Sequence, residues 1–308
     1  MTRYEFKSIG QRLSNWGRWG ADDQRGTLNF LTPQVRLDAA RSVRTGQVFE
    51  LSIPIGRDGP QQADGGAVGR INPVHLMSVH PGDFDRPDGM VGADDYIFMP
   101  LQAATHWDGL AHIGYDGLLY NGVPANSIRS MDGAKRHAID QSLPGVVGRG
   151  ILLDIARLHG RDWLAPSHPI TPDELDEAVK QQNLTVRSGD VLLVRTGWRR
   201  KALVEGWHGW METEPGLTVD CAGWLSEREI SAVASDNWAI ETQPAGEAWI
   251  PLHCVLIRDM GMTLGENFNL EELSEACAAD GRWDLLLSAP ALRILGGTGS
   301  PVSPIAIR

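Results

Sequence analysis

The sequence predicts an α/β protein in which a mixed central sheet is flanked by helices. Three observations carry that expectation. Short, continuously apolar runs recur at 150–156, 191–195, 232–235 and 254–257, the pattern of strands buried on both faces. Helix-start signals stand between such runs, and connections of that kind pack helices against a sheet. No internal repeat, low-complexity tract or Pro/Ser-rich linker divides the 308 residues, so 1–308 reads as one domain.

The elements follow in order. Residues 1–20, including Asn15-Trp16-Gly17-Arg18-Trp19-Gly20, show neither helical nor strand period and read as an arm laid over another surface. A first helix begins at Thr32-Pro33-Gln34, an N-cap followed by proline at the first helical position, with Val35, Ala39 and Val43 on one face. Gly46 ends it, and Gln47 to Ile55 alternates loosely as a strand. Residues 56–95 are rich in Gly, Pro and Asp with little periodicity, and a long irregular stretch in a compact chain is more often functional than idle. The strand Gly150–Ala156 comes next. Thr171-Pro172-Asp173-Glu174 opens a second capped helix, with Leu175, Ala178 and Val179 facing inward. Val191–Arg195, Ala232–Ser235 and Cys254–Ile257 read as further buried strands.

Charge and composition exclude several functions. Lys plus Arg number 28 against 39 Asp plus Glu, a net charge of −11 that repels polyphosphate and anionic membrane surfaces, so no nucleic-acid or membrane partner is expected. No apolar run approaches the ~18 residues of a membrane span, and the first residues lack the apolar core of a secretory signal. The three cysteines, Cys221, Cys254 and Cys277, form no C-x-x-C pair and point to reduced thiols in a cytoplasmic protein. Eleven Trp against four Tyr and six Phe is lopsided; most should serve packing, while some can wall a pocket for a flat small molecule.

The segment richest in chemistry is Gln102-Ala103-Ala104-Thr105-His106-Trp107-Asp108-Gly109-Leu110-Ala111-His112. A helix would point Asp108 away from Gln102 and His106. A continuous strand would align all four polar side chains but stretch them over ~33 Å. The set converges only if the backbone folds back, and Ala103-Ala104 and Gly109 are suitable places for the bends. An imidazole and a carboxylate two residues apart can then clasp one divalent ion, with His112 within reach of a water beside it.

This segment resembles the H-x-G-T-H-x-D-x-x-x-H mark of the cyclase family of metal-dependent hydrolases, which includes bacterial kynurenine formamidase and isatin hydrolase. The likeness continues in Gly148–Asp154, Leu193–Trp198, Ser235-Asp236, His253, Gly265–Leu270 and Gly296–Pro301. The resemblance implies a swivelling β/α/β fold, a divalent metal ion such as Mn2+ or Zn2+, and hydrolysis of an amide, lactam or lactone bond. Carried over by position, it implies metal ligation by Gln102, His106 and Asp108, proton transfer by His112, and completion of a second metal site by His253 and Glu266. Two departures stand out. Gln102 replaces a histidine with a neutral, harder oxygen donor, which favours manganese or magnesium over zinc and leaves one ion or two open. Ala104 replaces a glycine.

The expected substrate is a small molecule, cyclic or aromatic, with Trp107 as a wall of its pocket. Alternatives from other classes are a metal-dependent dehydratase or cyclase and a non-catalytic metal- or ligand-binding protein. The family likeness and the Trp-bearing arm point to a homodimer or higher homo-oligomer. Among weaker signals, His75 and His80 with Asp83 and Asp85 read as solvated loop residues. His159, His168 and His208 lack partners at useful spacing. Gly296–Ser300 reads as a tight turn near the site, and Cys254 as a core thiol. Either Glu241 or Glu247 could touch substrate, with nothing in the sequence to separate them.

Overall fold

The computed structural model describes residues 4–61, 69–82 and 87–308. The chain opens with helices α1 (Glu5–Leu13) and α2 (Pro33–Arg41), followed by strands β1 (Val48–Glu50), β2 (Val74–Val79), β3 (Asp94–Phe98) and β4 (His106–Asp108). Next come β5 (Val146–Asp154), α3 (Ile155–Leu158), β6 (Pro169–Ile170), α4 (Pro172–Gln181), β7 (Val191–Arg195), α5 (Trp198–Glu205) and β8 (Gly216–Leu217). The last part holds α6 (Cys221–Glu227), β9 (Ala232–Ser235), α7 (Pro251–His253), β10 (Thr263–Glu266), α8 (Glu271–Asp280), β11 (Asp284–Ala289), β12 (Gly299–Pro301) and β13 (Ile305–Ile307).

Nine strands form one sheet in the order β1-β13-β11-β5-β7-β9-β10-β4-β12. The run β5-β7-β9-β10 is parallel and the remaining pairs are antiparallel, so the sheet is mixed. Strand alternation sorts the apolar runs into two cores. Ile151, Leu153, Leu192, Val194, Val233 and Leu264 enter one, against Leu175 and Ala178 of α4 and Leu225 of α6. Leu152, Val191, Leu193, Ala232 and Ala234 enter the other, with Leu273 and Cys277 of α8. Burial on both faces explains why these strands read as unbroken hydrophobic runs. At α4, the capping box expected from Thr171 and Glu174 is formed in both directions.

Several local expectations are corrected. Residues 5–13 are helical, and the segment after them packs on its own chain. Phe6 meets Tyr115 edge-on at 5.3 Å, Asn15 Nδ2 donates to the Met260 carbonyl at 2.9 Å, and Trp16 Nε1 donates to the Arg258 carbonyl at 2.7 Å. The first three residues of the expected arm lie outside the described residues. Cys254–Ile257 is no strand: it belongs to a π-helical segment, Cys254–Met260, that continues α7. Its Val255, Leu256 and Ile257 are all buried, and an apolar run buried all round has the same sequence signature in a helix as in a strand. Within 47–55 only Val48–Glu50 pairs as a strand. The 56–95 stretch, expected to be irregular, contains β2, which pairs with β3 as an antiparallel ribbon, and His75 Nε2 lies 2.7 Å from Asp95 there. Asp83 and Asp85 lie outside the described residues. No helix among the described residues is long and apolar enough to cross a membrane.

A buried histidine supports the turn that carries His112. The His137 carbonyl accepts from Ala111 N, its Nε2 donates to the Tyr120 carbonyl at 2.8 Å, and its Nδ1 is buried without a partner among the described residues. Burial holds its pKa below the ordinary 6.5, so the folded state resists a proton that the unfolded chain accepts. Its contribution is therefore present above about 6.5 and lost as pH falls, by up to about 1.4 kcal/mol per unit. Urea unfolding at pH 7.5 and pH 5 should show a larger acid loss for wild type than for His137→Asn; equal losses would remove His137 as the cause.

Candidate metal and catalytic site

The centre of the site is β4, a strand of three residues between β10 and β12. The period of two places His106 and Asp108 on one face and Trp107 on the other. The antiparallel register sets Glu266 of β10 directly opposite His106. Gly265, opposite Trp107, is required by close approach: a Cβ there would stand 2.5 Å from the Trp107 ring and 2.7 Å from Ala234 Cβ. Thr105 ties down the entry to β4, accepting from Ile53 N at 2.8 Å and donating to the Asn267 carbonyl. After β4 the chain turns back, His112 N donating to the Gly109 carbonyl at 2.9 Å and Gly109 N to Thr298 O at 2.8 Å. The fold-back that the spacing demands is thus made by a short strand between two bends.

His106 Nε2 lies 3.1 Å from Glu266 Oε2 and 3.5 Å from Asp108 Oδ1, and the ligand atoms of the three residues are all within 4.8 Å of one another. His106 Nδ1 donates to the Ala104 carbonyl at 2.7 Å, which turns Nε2 toward the carboxylates. His112 Nε2 approaches Asp108 Oδ1 at 3.6 Å. His253 Nε2 meets the other Glu266 oxygen at 2.9 Å, while its Nδ1 lies 2.6 Å from Glu241 Oε1. Glu241 also accepts from the Leu252 and His253 backbone N–H groups, which separates it from Glu247: it holds α7 and His253 in place.

Among the described residues, His106 Nε2 and both Asp108 oxygens are buried without a hydrogen-bond partner. Such groups are rarely left unsatisfied, and a divalent cation would satisfy all three at once. The charge balance agrees. Burial alone would push the His106 imidazole down, but the Asp108 and Glu266 carboxylates outweigh it and raise it to about 9. Burial is likewise outweighed at His253, where Glu241 and Glu266 raise the imidazole to about 10. Burial would raise Asp108, yet the facing His112 and His106 hold it well below the usual carboxylate range. The pocket favours positive charge, and the residues fit a divalent ion. His112 differs: burial lowers its pKa, aided by Arg70 and opposed by Asp108, so it is neutral near pH 7.

A cavity of about 310 Å³ opens beside this group. Gln102, His112, His253 and Glu266 line it, together with Arg70, Trp238, Trp249 and Thr298. Gln102 is brought to the site with its amide Nε2 turned to His112 Nδ1 at 3.5 Å and Thr298 Oγ1 at 3.4 Å. Trp107, expected as a pocket wall, is a correction. It is 1% exposed, packs against Phe268 and donates from Nε1 to the Ala289 carbonyl at 2.8 Å, because alternation turns it into the core behind β4. The aromatic wall is supplied by Trp238 and Trp249 instead. The Trp excess points to such residues without distinguishing them; the Gly296–Ser300 turn expected near the site brings Thr298, and no local signal marks Arg70.

The remaining histidines and acids take other roles. His159 and His168, read as lacking partners, both approach Glu174 Oε1, at 2.7 and 2.8 Å. They could also hold a cation, but Glu174 sits in the first turn of α4, where the helix dipole opposes positive charge. Cys254 is half-buried, with burial pushing its thiol up to about 12, so it is no thiolate nucleophile at neutral pH. Asp236 accepts from Thr196 and Gly197 N–H groups at 2.8 Å and holds the β7–α5 turn. The Gly-rich 296–300 segment turns into β12 beside β4.

Known proteins share this architecture. The sequence model of a family described as "Putative cyclase" matches residues 49–242. A solved structure described as a novel cyclase is 38% identical with a TM-score of 0.87, covering 96% of this chain and 99% of that one. Isatin hydrolase A from Labrenzia aggregata, bound to benzyl benzoate, is 18% identical with a TM-score of 0.63, over 87% of this chain and 95% of that one. A predicted metal-dependent hydrolase from Bacillus stearothermophilus is 18% identical with a TM-score of 0.54, over 84% and 97%. At these lower identities the likeness is one of fold. No curated protein matches the sequence.

Proposed function

The chain belongs to the cyclase family, and from that premise we propose that it is a divalent-metal-dependent hydrolase opening an amide, lactam or lactone bond in a small cyclic or aromatic substrate. The observation that carries this reading is the buried trio His106, Asp108 and Glu266, in which His106 Nε2 and both Asp108 oxygens have no hydrogen-bond partner among the described residues, beside a Trp-walled cavity. These three would hold one ion. Two carboxylates and one imidazole suit manganese or zinc, and His253 buttresses Glu266 from its far oxygen. A bound divalent ion acidifies water and polarises a substrate carbonyl.

The chain's own residues do the rest. His112, neutral near pH 7 and bordering the cavity, accepts the proton of the attacking water and returns it to the leaving nitrogen or oxygen. Gln102 and Asp108 flank its two ring nitrogens and orient it. Trp238 and Trp249 exclude water from a flat substrate, and Glu214, accepting from Trp238 N at 2.6 Å, holds that wall in position.

Metal-loaded protein assayed against small arylformamides, lactams and lactones should yield products heavier than substrate by one water, and a chelator should stop the reaction. Loss of water from substrate would indicate a dehydratase, and unchanged mass a binding protein; either would overturn the proposal. His112→Ala should lower kcat by about 10²–10⁴-fold, the usual worth of a general base, with metal content unchanged. An unaltered kcat would remove His112 from the reaction.

A further inference from the structure

We propose that the cavity contains an anion subsite built on Arg70, so that the substrate is a planar molecule carrying a carboxylate. The inference rests on the reading of this cavity as a substrate site. It deepens that reading by naming a charge the ligand must bring.

Arg70 borders the cavity together with His112, Trp238 and Trp249. Its Nη1 is buried and makes no hydrogen bond among the described residues, although the chain carries 39 acidic residues. Its guanidinium lies 5.6 Å from the centroid of the Trp238 ring, a cation–π contact that keeps the charge at the cavity without neutralising it. Trp238 Nε1 is likewise buried without an acceptor among the described residues. Two neighbouring donors without partners at one cavity wall call for a ligand that accepts hydrogen bonds. A carboxylate offers two oxygens to a guanidinium fork, as a phosphate also does, and of the two the planar carboxylate fits a flat ligand body between indole walls. The exposed indole of Trp249 then faces the flat body of such a ligand across the same cavity.

Charge balance supports the assignment. A bound divalent ion would be offset by the Asp108 and Glu266 carboxylates, leaving little net attraction for an anion at that end, so the Arg70 cation supplies the attraction a ligand carboxylate needs. An uncharged substrate would leave the Arg70 charge desolvated as the cavity filled, which is unfavourable.

The test uses ligands rather than turnover, so it remains decisive if the hydrolase reading fails. Benzoate and its neutral isostere benzamide are titrated into metal-loaded protein, read by tryptophan fluorescence and calorimetry. Wild type should prefer benzoate by about 10-fold or more, as expected for hydrogen bonds to a charged group, and salt should weaken the preference. Arg70→Met should abolish the preference, while Arg70→Lys should keep part of it; matching thermal melts would show both variants folded. Three results would overturn the inference: no benzoate binding, equal binding of the two ligands, or a preference that survives Arg70→Met, which would place the carboxylate on the metal. Benzoate binding that depends on Arg70 in a protein that opens no amide or lactone would uphold the subsite and reject the hydrolase.

Discussion

Asp108→Asn is expected to empty the metal site and reduce hydrolysis to background while leaving the protein folded. The change preserves volume and planarity, so packing around β4 has no reason to alter. It removes the negative charge and replaces one of two unpartnered buried oxygens by an N–H donor that cannot ligate. Loss of even an outer-shell partner costs metal affinity about 10–100-fold, and a direct ligand in a three-residue set should cost at least the upper end of that range. His112 and His106 also lose the carboxylate that faces them. Elemental analysis after dialysis should give well below the wild-type metal content, with a thermal melt close to that of metal-free wild type. Full metal content with full activity would show that Asp108 is no ligand and would sink the proposed site.

Trp107→Ala is expected to destabilise the fold by about 3–5 kcal/mol, the usual cost of deleting a large buried aromatic side chain. Trp107 is enclosed by Phe268 and the residues of the second core, and its indole N–H satisfies the Ala289 carbonyl. Alanine would leave a cavity under the strand that carries His106 and Asp108. Trp249→Ala makes the contrast. That side chain is 55% exposed, so its removal should change stability by less than about 0.5 kcal/mol while raising KM for an aromatic substrate. Urea unfolding and steady-state kinetics on both variants separate the two roles. A Trp107→Ala protein as stable as wild type, with a raised KM, would return Trp107 to the pocket.

Much of this molecule is legible in its amino-acid sequence. The buried strands expected at 150–156, 191–195 and 232–235 stand out because both faces of the central sheet are covered, although Ile155 and Ala156 belong to α3 and the first strand begins at Val146. Thr171 and Glu174 mark α4 because capping is a local interaction. The spacing of His106, Asp108 and His112 is informative for a related reason: of the few regular backbone conformations open to so short a segment, neither helix nor continuous strand brings these side chains together, so the chain must fold back. Where local signals are degenerate, expectation and structure part. Cys254–Ile257 has the pattern of a strand and the structure of a buried helix. Glu5–Leu13 is a different case: Phe6, Ile9 and Leu13 recur at helical spacing and face the core, a period that the reading of 1–20 as an irregular arm overlooks.

The amino-acid order by itself determined the α/β class, the need for the chain to bend near Ala103-Ala104 and Gly109, and the nearness of an imidazole to a carboxylate two residues on. Only tertiary structure decided that Glu266 stands across from His106, that Glu241 braces His253, that Trp107 faces away from the cavity, and that Arg70, Trp238 and Trp249 meet around it. The division follows from distance along the chain. Neighbouring residues are placed by dihedral angles and periodicity, whereas partners far apart in sequence are brought together by sheet register and the burial of two cores, which no short stretch of sequence encodes.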